Sequence, residues 1–313
     1  MNTLVKTQNG LDIISDSYST TRQIFGKFLY EGELGILFGD SNTGKSILAN
    51  DIGFFVCGGG HDWPGMVSPK IPTMYIDMEM TSKQYASRYK NAGEYMTSDY
   101  HRSEVNVIMS AENKLFPAIK TEIILQQGTE RPPKFIIIDN ITNGFGSIFS
   151  APRMRGLISE LKLLKDRFGL TILLIAHCPK RKPNTPITDN SLGGSKMLIN
   201  FCDSAFAIAP SQIDSSTKYI KQIKTRTGEK LSDVMTVKIS TEPYLCMQYA
   251  GMTDEENHIN PQNDGMWITK ITPEMEIQIV KMWNDGQMSI NEIAEALNIN
   301  SDVVVDYAIA NNL

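Results

Sequence analysis

The stretch Glu33–Cys57, ELGILFGDSNTGKSILANDIGFFVC, decides how the rest of the chain is read. Within it Gly39, Asp40, Ser41, Asn42, Thr43, Gly44, Lys45 and Ser46 fit G-x-x-x-x-G-K-[ST]. Leu34 to Phe38, just before, is a short apolar run with strand character; Ile47, Leu48, Ile52 and Phe55, just after, recur at helical spacing. Strand, glycine loop and helix follow in the order a phosphate-binding loop needs. Glycines let the backbone wrap a triphosphate, so that N–H groups from Asn42 to Ser46 and the helix N-terminus face the anion. Gly39, Asn42, Thr43, Gly44, Lys45, Ser46 and Ile47 form the expected nucleotide-binding set. Lys45 is expected to reach the β- and γ-phosphates, and the Ser46 hydroxyl to hold Mg²⁺, which makes ATP and Mg²⁺ the expected ligands.

At 313 residues the chain can form one large α/β domain and a small appendage. A formal charge of −5 and a sequence pI near 5.5 argue against a protein coated in nucleic acid, but leave room for a local basic channel. Cys57, Cys178, Cys202 and Cys246 are scattered, with no C-x-x-C and no His at ligand spacing, so neither a zinc site nor a disulfide framework is expected. No apolar run reaches the roughly 18 residues of a membrane span. The N-terminal residues MNTLVKTQNG lack the order of a signal peptide, and a cytoplasmic protein with no membrane contact is expected.

Residues 1–25 are polar, rich in Ser and Thr from Ser15 to Thr21, and read as an N-terminal arm. From there strands and helices alternate. Thr73 to Met78 reads as a strand, Thr81 to Tyr95 as a helix, Val105 to Met109 as a strand and Ala118 to Gln127 as a helix. Phe135 to Ile138, ending in Asp139, and Leu170 to Ala176, ending at His177, are unbroken apolar runs of the kind buried on both faces of a parallel sheet. Between them Pro152 to Phe168 carries Leu157, Leu161 and Leu164 on one helical stripe. The class is therefore α/β, a doubly wound, mostly parallel sheet with its ligand at the carboxyl ends of the strands. Ala205–Ala209, Lys218–Lys224, Val234–Ile239 and Tyr244–Tyr249 are joined by short polar turns and predict an antiparallel extension. The main domain is expected over 26–250, a polar linker over 251–269, and a helix-turn-helix-like unit over 270–313.

Three strand ends converge on the edge that carries the phosphate loop. Asp139 is placed to hold the magnesium. Asp77 and Glu79 both end the strand before it, and Glu79 is the favoured carboxylate for orienting the attacking water. His177 is placed to sense the γ-phosphate by hydrogen bonding. Lys180, Arg181 and Lys182 concentrate positive charge in the loop after His177; it reads either as a solvated loop or as a track for a phosphate backbone. The C-terminal unit has the shape of a DNA reader without its charge. From Asn284 to Leu313 there are Asp285, Glu292, Glu295, Asp302 and Asp306 and no Lys or Arg, so a protein partner or a ring-stabilising contact is expected.

Over roughly Gly32 to Tyr249 the chain resembles the RecA-like ATPases, and more closely the plasmid RepA-type and DnaB-type hexameric helicases. GDSNTGKS, YIDMEM with Glu79, FIIIDN with Asp139, LLIAHCPK with His177, SLGGSKMLINFCDSAFAI and YIKQIKTRTGE carry the resemblance. It implies a homo-oligomeric ring, a hexamer, with nucleotide between subunits and single-stranded DNA in the centre. It also implies that Lys224 and Arg226 reach a neighbour's ATP as a trans-acting finger. Without it, Lys218, Lys221, Lys224 and Lys230 read as a solvated basic strand face. Two loops match the DNA-facing loops of that family, Ile141–Ala151 with Arg153 following, and Cys178–Lys196. A loader, mediator or regulator without unwinding activity is the alternative.

Overall fold

The structure, a computed structural model, describes residues 21–106, 112–141, 151–179, 185–192, 196–260, 273–285, 288–297, 299, 301, 304, 305, 307 and 308. Its contacts divide the chain into two units, Met1–Glu255 and Glu256–Leu313.

In the first unit β1 (Gln23–Phe25) and β2 (Leu29–Tyr30) pair antiparallel ahead of the main sheet. That sheet is made of β3 (Leu34–Gly39), β4 (Thr73–Asp77), β5 (Tyr100–Glu104), β6 (Phe135–Asp139), β7 (Thr171–His177), β8 (Ser204–Pro210), β9 (Thr217–Lys224), β10 (Val234–Ser240) and β11 (Cys246–Thr253). The order across it is β11-β10-β9-β8-β3-β7-β6-β4-β5. From β8 to β5 every neighbouring pair is parallel, while β8, β9, β10 and β11 alternate. The fold is a mostly parallel α/β sheet with an antiparallel extension, as the alternation of apolar runs requires. Beside it stand α1 (Lys45–Val56), α2 (Ser82–Arg88), α3 (Glu112–Gln126), α4 (Ala151–Phe168) and α5 (Lys196–Phe201).

The central strands β3, β4 and β6 are buried at every position, because their apolar residues have protein on both sides. Helix α1 is buried all round except at Ser46, so its apolar residues are not confined to one stripe and its polar Asn50 and Asp51 are buried with hydrogen-bond partners. It packs on β4, β6 and β7 and also on β11. That last contact fixes the antiparallel extension to the phosphate-loop helix: a Cβ on Gly44 would lie 2.5 Å from Met247 Cε, with Ile239 close behind.

Local limits differ from the expected ones for physical reasons. The edge strand beside β4 is Tyr100–Glu104, earlier in the chain than the expected Val105–Met109, of which 107–109 lie outside the described residues; an edge strand carries polar residues, which hide it from a search for apolar runs. Helix α2 begins at a capping box, Thr81 with Gln84, but stops at Arg88 and gives way to a 3₁₀ turn over Gly93–Tyr95. Helix α3 begins upstream of Ala118 and contains Pro117. Gly251–Thr253, expected in the linker, completes β11, where Gly251 pairs with Thr236 at a register shift. Asn143–Ser147 and the expected arm up to Thr20 lie outside the described residues.

The second unit includes α6 (Glu256–Ile259), α7 (Pro273–Asp285) and α8 (Ile290–Leu297). Ile279, Ile293, Ala294, Leu297, Ile299 and Val304 form its own apolar core. Ser289 caps α8 with Glu292, each oxygen taking a backbone or hydroxyl donor of the other turn. No helix among the described residues is long and apolar enough to cross a membrane.

Candidate active site

The carboxyl ends of β3, β4, β6 and β7 lie side by side. Gly39 pairs in register with His177, and Asp77 with Asp139. Gly39 has to be glycine here, since a Cβ would lie 2.3 Å from the Ile208 carbonyl oxygen on β8. The loop then turns through left-handed backbone at Asn42 (φ 62°) and Gly44 (φ 91°), the geometry that gathers successive N–H groups into an anion-binding concavity. Thr43 braces it from inside, donating its hydroxyl to the Asp40 carbonyl at 2.9 Å. Ser46 and Ile47 stand in the first turn of α1, whose N-terminus completes the cradle.

Lys45 is buried, only 4% exposed, and its ammonium donates to the Asp40 carbonyl at 2.6 Å. Burial lowers its pKa, and the thiol of Cys178 and the carboxylates of Asp139, Glu79 and Asp40 act against that. The net direction is downward, with the surrounding acids offsetting part of the effect of burial. Cys178 closes the cradle from β7, with its N–H on the Gly39 carbonyl and its thiol donating to Asp40 Oδ1 at 3.0 Å.

Asp139 is fully enclosed. Burial pushes its pKa up to about 6, with the Ser46 and Tyr75 hydroxyls pulling the other way. The Tyr75 hydroxyl donates to Oδ2, whereas Oδ1 is buried with no hydrogen-bond partner among the described residues. A buried carboxylate oxygen left over beside a serine hydroxyl is an arrangement that a divalent cation satisfies. Ser46 and Asp139 thus fit Mg²⁺.

Glu79 lies on the turn after β4. His177 Nε2 stands 3.2 Å from its Oε1, and Asn140 Nδ2 donates to the same oxygen. The His177 hydrogen bond lowers the Glu79 pKa; burial opposes it, and the charges of His177, Lys45 and Arg88 add to the lowering. Asp77 plays a different part: it is wholly buried, and its Oδ1 accepts the N–H groups of Glu79 and Met80, each at 2.9 Å. Two carboxylates alternative in the sequence are thus distinguished by geometry, one holding the turn and the other presented by it.

Lys224 and Arg226 are elsewhere. The Lys224 ammonium donates to the carbonyls of Ile199, Asn200 and Cys202 at 2.7, 3.0 and 2.8 Å, which caps the end of α5. Arg226 is exposed and paired with Asp203 at 2.9 Å, and Asp203 also accepts the N–H of Leu34, the first residue of β3. Five residue steps of about 3.3 Å separate that end of β3 from Gly39, so the strand end to which Arg226 is tied lies roughly 16 Å from the start of the phosphate loop. Lys180, Arg181 and Lys182 lie outside the described residues.

Sequence reasoning missed a second buried polar cluster behind the loop. Asp51 of α1, 1% exposed, accepts from Tyr244 Oη at 2.9 Å, from the Met247 N–H at 3.1 Å, and faces His61 Nε2 at 2.9 Å. Burial alone lowers the His61 pKa, but the bond to Asp51, a bond to Cys246 and the Asp51 charge outweigh it and raise it to about 10. Asp51 and Tyr244 are 193 residues apart, and no local pattern joins them.

A family model described as AAA domain matches residues 11–183, more than half of the 313. No curated protein matches the chain. Among matching solved structures, the flagellar accessory protein FlaH from Methanocaldococcus jannaschii is 15% identical, with 72% of this chain and 93% of that one covered and a TM-score of 0.46. A KaiC-like protein from the hyperthermophilic archaeon Pyrococcus horikoshii OT3 is 14% identical, with 71% and 91% covered and a TM-score of 0.49.

Proposed function

The chain belongs to the AAA domain family, and from that premise we propose that it hydrolyses ATP at the junctions of a hexameric ring and translocates on single-stranded DNA as a helicase. The position of Arg226 carries this reading. Its tie through Asp203 to the start of β3, at the end of the strand away from its own phosphate loop, supports the reading of Arg226 as a finger that acts on a neighbouring subunit's nucleotide. The chain's resemblance to RepA-type and DnaB-type helicases supplies the ring and the DNA.

In this reading Lys45 and the loop N–H groups bind the phosphates. Ser46 and Asp139 would hold Mg²⁺, which when bound neutralises charge on the β- and γ-phosphate oxygens. Glu79, whose pKa the His177 hydrogen bond lowers further below the ordinary carboxylate value, is a weak proton acceptor and a good water orienter. His177 holds that carboxylate and stands where the terminal phosphate would be felt. Lys180, Arg181 and Lys182, next along the chain from the end of β7, are the proposed DNA contacts. Lys224 supports Arg226 by fixing the end of α5.

Native mass spectrometry with ATP and Mg²⁺, then phosphate-release assays with and without single-stranded DNA, test the proposal. A ring with DNA-stimulated turnover and duplex unwinding is expected. A monomer with DNA-insensitive turnover overturns the helicase and leaves the ATPase; stimulation without unwinding would instead make the protein a loader. Reversing the charge of Lys180, Arg181 and Lys182 together is expected to weaken single-strand binding at least about tenfold at 100 mM salt, because the phosphate contacts and the counterion release they drive are lost, and the salt dependence flattens with them. Unchanged affinity would take this loop out of the account. The acidic C-terminal unit is proposed to dock on protein, and duplex-DNA binding by residues 270–313 at moderate salt would overturn that.

A further inference from the structure

Glu79 is useful only if the turn after β4 presents it at one height over Lys45, and that turn is held by a carboxylate that needs its own partner. Asp77 is wholly buried, and two backbone N–H groups do not balance a buried charge. Its partner comes from the edge strand. Arg102 on β5, side by side with Tyr75 of β4, places Nε at 3.0 Å and one terminal nitrogen at 2.9 Å from Asp77 Oδ2. The same nitrogen donates to the Met80 carbonyl, so one guanidinium holds the acid that bends the turn and the far end of the turn as well. The guanidinium carbon lies 4.6 Å from the centre of the Tyr85 ring, and the Tyr85 hydroxyl donates to Asn50 Oδ1 at 3.0 Å. Asn50 in turn donates to the Ser46 carbonyl at 2.8 Å. A continuous set of contacts thus runs from the first turn of α1, through Asn50, Tyr85, Arg102 and Asp77, to the backbone of Glu79.

We propose that Arg102 is a positioning residue for Glu79: it sets the carboxylate against the phosphate loop indirectly, through Asp77 and the Met80 carbonyl. The proposal rests on the reading of Glu79 as the water-orienting group. A forked, planar cation is required, since a lysine ammonium cannot bridge the carboxylate and the carbonyl with the same geometry.

The test is steady-state ATP hydrolysis by R102Q, R102K, E79Q and the R102Q/E79Q double variant, with affinity for a fluorescent ATP analogue measured on each. R102Q is expected to lower kcat by about 10- to 100-fold, the loss that a misplacement of about 1 Å produces, while KM and analogue affinity change less than about threefold. R102K is expected to recover part of the loss. In the double variant the Arg102 change is expected to add little to the effect of E79Q, as for two groups that act through one carboxylate. The proposal alone is overturned if E79Q is slow and R102Q has wild-type kcat, if R102Q loses analogue affinity as much as kcat, or if its effect multiplies in full on the E79Q background. Wild-type turnover by E79Q would instead overturn the reading of Glu79 and this proposal with it. Should R102Q fold poorly, R102K, which keeps the charge beside Asp77, is read in its place: a smaller fall in kcat with KM unchanged supports the proposal, and wild-type kcat overturns it.

Discussion

Lys45→Ala is expected to lower ATP hydrolysis by about 10³-fold, the scale on which removal of a preorganised charge at a reacting phosphate acts. Lys45 is buried between the Asp40 carbonyl and the carboxylates of Glu79 and Asp139, so no solvent cation replaces it at the same place. Without it a triphosphate would enter a cradle whose nearest side chains are acidic. Repulsion then adds to the loss of attraction, and nucleotide affinity is expected to fall together with turnover. Phosphate release and equilibrium binding of a labelled nucleotide check both parts. Turnover within tenfold of wild type would mean that the chain does not use this loop for hydrolysis.

The next largest effect is expected on stability. His61→Ala leaves the Asp51 carboxylate buried in the middle of the fold with two neutral donors, Tyr244 Oη and the Met247 N–H. Breaking a buried pair from one side costs about 3–5 kcal/mol; the His61 side chain is 18% exposed, which screens the pair and favours the lower end, about 3 kcal/mol. Calorimetric or chemical unfolding of the variant measures it. The pH dependence has a definite sign. The folded-state His61 pKa, about 10, lies above its ordinary 6.5, so the folded state holds the proton more tightly. The contribution is complete below about pH 6.5 and is lost as pH rises through about 10. The stability gap between wild type and the variant is therefore expected to narrow from pH 6 to pH 10, and a gap that widened would contradict the assignment of the charge.

These two experiments probe groups that differ in how plainly the sequence announces them. Lys45, Ser46 and the loop glycines were legible because their requirement is local: eight consecutive residues build the cradle, and a strand and a helix on either side define its context. Asp139 and His177 were legible for a related reason, since a buried parallel strand is an unbroken apolar run and its last residue marks the ligand edge. The role of Asp77 was not legible. It sits two residues from Glu79 with the same chemistry, and only its bonds to the turn and to Arg102 tell them apart. The edge strand that supplies Arg102 was placed too late in the chain, because an edge does not need apolar residues on both faces. Asp51, His61 and Tyr244 left no signal, since their meeting is a property of packing between segments far apart in the chain. Lys224 read as a charge on a strand face; its three carbonyl partners belong to the end of a separate helix.

The packing of Met247 and Ile239 beneath Gly44 has a consequence for where the working enzyme stops. The recognisable family segment ends at residue 183, yet the floor under its phosphate loop is laid by side chains more than fifty positions later. A protein trimmed to the segment of family likeness would retain every signature residue of the loop and lose what keeps that loop in shape.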